Sequence, residues 1–109
     1  MEFKPYPHIV WQPTEELIAN SQIQKFINAA SVSDYDELLI KADADPEWFW
    51  NAAIKFLDIK FYQDYDRVMD QSKGIEWTEW CVGGKTNLVL NCLDKHKGSD
   101  IWHKPFIHH

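Results

Sequence analysis

The chain has 109 residues, 45% of them apolar, with six Trp, four Tyr and six Phe, which suits one small globular domain and excludes a disordered tail. Acidic residues number 17 against 11 basic ones, a formal net charge of -6, so the electrostatic footprint of a general nucleic-acid binder is missing. The start, Met1-Glu2-Phe3-Lys4-Pro5, has no apolar signal region, and no apolar run approaches the roughly 18 residues of a membrane span. An intracellular protein with reduced thiols at Cys81 and Cys92 is the expectation.

Pro5, Pro7 and Pro13 forbid a helix over residues 1–13 and favour an extended arm. Phe3, Tyr6, Ile9, Val10 and Trp11 make that arm apolar enough to lie against another surface. A helix is expected to start at Thr14-Glu15-Glu16-Leu17, with its acids in the first turn. Ser21-Gln22-Ile23-Gln24 reads as a capping box, and Ile23, Phe26, Ile27 and Ala30 recur on one helical face. Ser33 or Asp34 caps the next helix, whose apolar face is Tyr35, Leu38, Leu39 and Ala42. Asp45-Pro46 is an N-cap followed by proline at the first helical position. Phe49, Ala52, Ala53, Phe56 and Leu57 form the cleanest stripe, so these amphipathic helices are able to bury against one another.

Beyond Leu57 the pattern changes. Residues 59–69 mix aromatics with Asp64 and Asp66, and Asp70-Gln71-Ser72-Lys73-Gly74 is turn chemistry. Glu76 to Val82 suits a short strand or extended segment that carries Trp77 and Trp80. Gly83-Gly84 breaks it. A last helix is expected from about Thr86 to His96, with Val89, Cys92, Leu93 and His96 on one face and Gly98 as its stop. Lys104 to His108 resembles a strand opening. The fold class is therefore mostly α: a small domain of three to four helices with an extended aromatic segment and a C-terminal strand stub.

Three candidate chemistries are weak. Gly84-Lys85-Thr86 before a helix looks like the end of a phosphate loop, but Glu79 occupies the position of that loop's first glycine, where a carboxylate repels phosphate. His103, His108 and His109 invite a metal, yet adjacent histidines on a strand point to opposite faces. The carboxylate pairs Asp43/Asp45 and Asp64/Asp66 read as solvated turns and caps rather than acid–base catalysts. No catalytic, cofactor-binding or metal-binding residue is assigned. Six tryptophans exceed what a small helical core can hold, which favours docking on a partner surface.

The same residues carry a family resemblance. Trp11-x-Pro13-x-Glu15 with Ile18-Ala19-Asn20-Ser21 looks like the opening of acetyl-CoA synthetases and related AMP-forming short-chain acyl-CoA ligases. Tyr35-Asp36-Glu37-Leu38 and Asp45-Pro46-Glu47-Trp48-Phe49-Trp50 resemble their "YEEL … DPExFW" stretch. Trp77 to Trp80 with Val82-Gly83-Gly84-Lys85-Thr86-Asn87 is similar to their "W-x-x-W-F-x-G-G-x-x-N" segment. Asn91-Cys92-Leu93-Asp94-Lys95-His96 looks like "NCLDRH". Lys95 stands where the family has arginine and Cys81 where it has phenylalanine, and lysine lacks the planar fork that makes a bidentate contact.

The resemblance implies a helical cap domain over residues 14–98, preceded by the arm over residues 1–13. Residues 99–109 then open an adenylating domain that is cut short. It places the phosphate loop, the ribose-binding acid and the catalytic lysine downstream of residue 109. The parent family uses ATP, Mg²⁺ and coenzyme A; no cofactor is expected in this chain. The expected partner is an adenylating domain of the same or a partner chain, not nucleic acid or membrane, in the cytoplasm, with the isolated piece inactive. An alternative is a stand-alone helical interaction module that docks a separate ligase or another protein. Gly83-Gly84 would let the backbone pass close to the adenylating domain. Asn87 and Asn91, one turn apart, either tie loops of that neighbour or are ordinary surface amides.

Overall fold

Side-chain caps set where the first helices begin and end. The computed structural model describes residues 11–107, so the expected arm lies outside the described residues except for Trp11, Gln12 and Pro13, which form no helix or strand. Thr14 Oγ1 accepts from the Leu17 N–H at 3.3 Å and starts α1 (Glu15–Asn20), with Glu15 and Glu16 near the positive end of its dipole. Ser21 closes α1 and opens α2 (Gln22–Ala29). Its N–H donates to the Ile18 carbonyl at 3.0 Å, and its Oγ accepts from the Gln24 N–H at 3.1 Å.

This double duty corrects the expected capping box. With the Ser21 N–H already committed, the Gln24 side chain has no donor to reach back to. It donates instead to Asn28 Oδ1 at 3.0 Å. Of the two candidate caps for α3 (Tyr35–Ala44), Asp34 accepts the Glu37 N–H at 2.8 Å. The Glu37 carboxylate accepts the Ser33 N–H in return, and hydrogen bonding by Ser33, from its side chain first and its backbone second, holds its pKa below the ordinary glutamate value. Asp45 Oδ1 accepts the Trp48 N–H at 3.0 Å and starts α4 (Pro46–Phe56), with Pro46 in the first turn as expected.

The chain forms two compact units, Met1–Asp43 and Ala44–His109. In the first, Phe26, Ile27, Val32 and Leu38 are buried. On α2 the expected face narrows to Phe26 and Ile27, because Ile23 lies in solvent. On α3 it narrows further: Leu38 is 2% exposed, whereas Tyr35 and Leu39 are 54% and 50% exposed.

In the second unit α4 packs on a two-stranded antiparallel sheet through its first strand, β1 (Arg67–Asp70). The second strand, β2 (Glu79–Val82), pairs Arg67 with Val82, Met69 with Trp80 and Asp70 with Glu79. β1 is an element the sequence does not announce: its charged ends leave no alternating run. Val68 and Met69 are both buried, and successive strand residues point to opposite faces, so this short strand is covered on both sides. Phe49, Ala52, Ala53 and Phe56 of α4 are only half-buried, and Leu57 is exposed.

The strand connection is turn chemistry, as expected from Asp70 to Gly74. Asp70 Oδ1 accepts the Ser72 N–H at 2.9 Å, and Gly74 adopts φ +106°, which suits glycine. Trp77 is not part of the strand. Residues Ile75–Trp77 form a 3₁₀ turn closed by the Thr78 hydroxyl, which donates to the Ile75 carbonyl at 2.6 Å.

The expected last helix is also shorter. α5 is Leu88–Cys92, followed by 3₁₀ turns at Asp94–His96 and Asp100–His103. It starts late because Asn87 is extended, at φ -148°, and caps it by accepting the Leu90 N–H at 2.7 Å. Leu93, at φ -126° and ψ -66°, leaves the helical region and ends it. Gly98 follows at φ +86°. Lys104 is extended, as a strand opening requires, and among the described residues no strand pairs with 104–107.

The narrow core of the first unit makes a sharp contrast measurable. Leu38→Ala should lower the unfolding free energy by about 2–5 kcal/mol, the usual range for a buried leucine. Leu39→Ala, one residue on but facing solvent, should stay within about 0.5 kcal/mol. Urea unfolding followed by far-UV circular dichroism reads both.

Candidate functional site

The family-like segments at 77–87 and 91–96 converge, within the second unit, on one stretch of backbone, residues 58–63. Asn91 pairs with the backbone of Lys60 in both directions, at the N–H of one peptide group and the carbonyl of the next. Its Oδ1 accepts the Lys60 N–H at 2.7 Å, and its Nδ2 donates to the Lys60 carbonyl at 3.0 Å. The Thr86 hydroxyl donates to that same carbonyl at 2.6 Å and accepts from Asn91 Nδ2 at 2.9 Å. Lys95 Nζ donates to the Asp58 carbonyl at 3.0 Å. Asn87 Nδ2 donates to the Tyr62 hydroxyl at 3.3 Å.

These contacts give the two asparagines a role within the chain. Asn87 and Asn91 do tie a loop, but the loop belongs to their own chain, 25 and 31 residues upstream in the bonds they make. An amide side chain offers one acceptor and one two-hydrogen donor side by side, so it can imitate a neighbouring strand's peptide. Lys95 supplies one donor to one carbonyl, the contact a point-charge ammonium can make without arginine's fork.

The Gly83-Gly84 turn has a similar internal purpose. The Gly84 N–H donates to the Cys81 carbonyl at 2.9 Å, and Gly83 sits at the third position of that turn with φ +78°. A Cβ on Gly84 would lie 3.1 Å from both the Phe61 ring and the Tyr65 Cβ, and 3.0 Å from the Cys81 carbonyl. The close approach made possible by glycine is to the chain's own aromatics. Phe61 and Tyr65 stack edge to face at 5.3 Å, and the Tyr65 hydroxyl donates to Asn51 Oδ1 of α4 at 2.7 Å. Partial burial pushes the Tyr65 phenol and the Cys81 thiol above their ordinary pKa values.

The same wiring answers the phosphate-loop reading. A phosphate cradle needs free N–H groups. Here the Gly84 N–H is spent on Cys81, the Lys85 N–H donates to the Gln63 carbonyl at 2.9 Å, and the Thr86 hydroxyl is spent on Lys60. The Lys85 carbonyl accepts the Tyr62 N–H at 2.7 Å and the Gln63 N–H at 3.3 Å, and the second of these completes an antiparallel bridge between 63 and 85.

The remaining candidates are placed apart. Asp45 caps α4, and Asp66 lies against Gly83. His103 is exposed on a 3₁₀ turn, while His108 and His109 lie outside the described residues. Among the described residues no three His, Cys, Asp or Glu side chains gather into a metal-binding group, and no helix is long and apolar enough to cross a membrane.

The aromatic surface is conspicuous. Trp77 is 66% and Trp80 is 53% exposed, and Trp11, Trp50 and Trp102 are also exposed; Trp48 is half-buried. Trp50 of α4 and Trp80 of β2 meet edge to face with ring centroids 5.5 Å apart, so two elements of the second unit share one apolar surface.

Residues 35–92 match the family described as acetyl-coenzyme A synthetase N-terminus. The chain belongs to that family. It is 31% identical to the acetyl-coenzyme A synthetase of Wolinella succinogenes over 83 residues, 76% of this chain and 12% of that protein. It is 33% identical to the acetoacetyl-CoA synthetase of Macaca fascicularis over 99 residues, 84% of this chain and 14% of that protein. The acetyl-coenzyme A synthetase of Leptospira biflexa is 29% identical over 92 residues, with 84% and 14% covered. The chain thus spans about 10–14% of the length of the curated relatives it matches. No solved structure gives a significant match.

Two outcomes test the loop clamp. Asn91→Ala should cost about 1–3 kcal/mol, because it strips the Lys60 backbone of its amide partner. Hydrogen exchange at the Lys60 amide should quicken in that variant, and Asn91→Asp, whose second carboxylate oxygen would face the Lys60 carbonyl, should not restore full protection. The acid limb provides the second test. The Lys60 ammonium, 2.6 Å from Asp58, holds the Asp58 carboxyl below the ordinary aspartate value. A carboxyl with a depressed folded pKa contributes stability above its unfolded value, near pH 4, and loses it as the pH falls through the folded one. Asp58→Asn, whose side chain tolerates the left-handed φ of +52° found there, should flatten the melting-temperature profile below about pH 4.

Proposed function

We propose that the chain is the N-terminal cap segment of an AMP-forming, acetyl-CoA synthetase-like acyl-CoA ligase, and that it is inactive by itself. The parent reaction converts a carboxylate, ATP and coenzyme A to acyl-CoA, AMP and pyrophosphate, with Mg²⁺. The cap's partner is an adenylating domain in the same or a partner chain, and its place is the cytoplasm. Residues 14–98 form the cap, and 99–109 open the adenylating domain.

The observation that carries inactivity is the commitment of the Gly84 N–H, the Lys85 N–H and the Thr86 hydroxyl to bonds within the chain. In the stretch that looks like a phosphate grip, these three donors are already spent. Support for the cap role comes from the family match and from the outward tryptophans, which offer large apolar area with a polar handle.

A second reading, a stand-alone module that docks a separate ligase or another protein, draws on the same exposed Trp50–Trp80 surface. The genomic frame downstream of His109 separates the two. Continuation into a Ser/Thr/Gly-rich phosphate loop favours the cap; a stop codon favours the module.

The purified 109-residue chain, given acetate, ATP, Mg²⁺ and coenzyme A, should release no pyrophosphate above a protein-free control. Sustained turnover in a coupled pyrophosphate assay would refute the inactivity.

A further inference from the structure

We draw no further inference here: the strongest candidate, the apolar cavity lined by Leu93, Ile101, Trp102 and Phe106 near the C-terminal end of the second unit, is an unpartnered apolar face, and nothing in the structure shows what covers it.

Discussion

The two-way bond between the Asn91 amide and the Lys60 backbone organises the second unit. Without it, the Lys60 N–H would lose its partner and the 58–63 stretch would be tied mainly at its far end, by the bridge between Gln63 and Lys85. With it, the Lys60 carbonyl accepts from both Asn91 and Thr86, and the Lys60 N–H is satisfied. The neighbouring bonds from Lys95 to Asp58 and from Lys85 to Gln63 then fall into register along the same stretch. A side chain here does the work of a missing strand, because a five-residue helix and four-residue strands bring little secondary structure of their own.

That economy has a cost in burial. Only Val68 and Met69 are buried in the described part of the second unit, and α4, its longest helix, has no fully buried residue. Polar ties and edge-to-face aromatic pairs therefore carry a larger share of the order there. Each contributes modestly, about 0.5–1.5 kcal/mol for either kind. The apolar area that would ordinarily be used inside stays on the surface at Trp50, Trp77 and Trp80.

Much of the helical half was legible in the sequence because local chemistry dictates it. Thr14, Ser21 and Asp45 cap where short polar side chains precede an apolar period, and Pro46 fits the first turn. Local chemistry failed where one group had two claimants. Ser21 ends one helix as it begins the next, so the reciprocal bond from Gln24 was lost. Thr86 reads as a helix start, yet its hydroxyl goes to a carbonyl 26 residues away. β1 was hidden because a four-residue strand covered on both faces shows no period-two pattern. For the candidate site, the four-residue spacing of Asn87 and Asn91 pointed to loop tying. Which loop they tied was not readable, since nothing local in Lys60 marks its peptide as the recipient.

The clamp also imposes an order of assembly. Lys60 and Asn91 are 31 residues apart, and a ribosome working at about 5–20 residues per second needs about 2–6 s to add that length. Helix and hairpin formation take microseconds. On a nascent chain, α4 and the β1–β2 hairpin thus have ample time to form while the 58–63 stretch is still hydrated. Its docking must wait for the last of the partner asparagines to emerge, so translation itself sets when this unit can close.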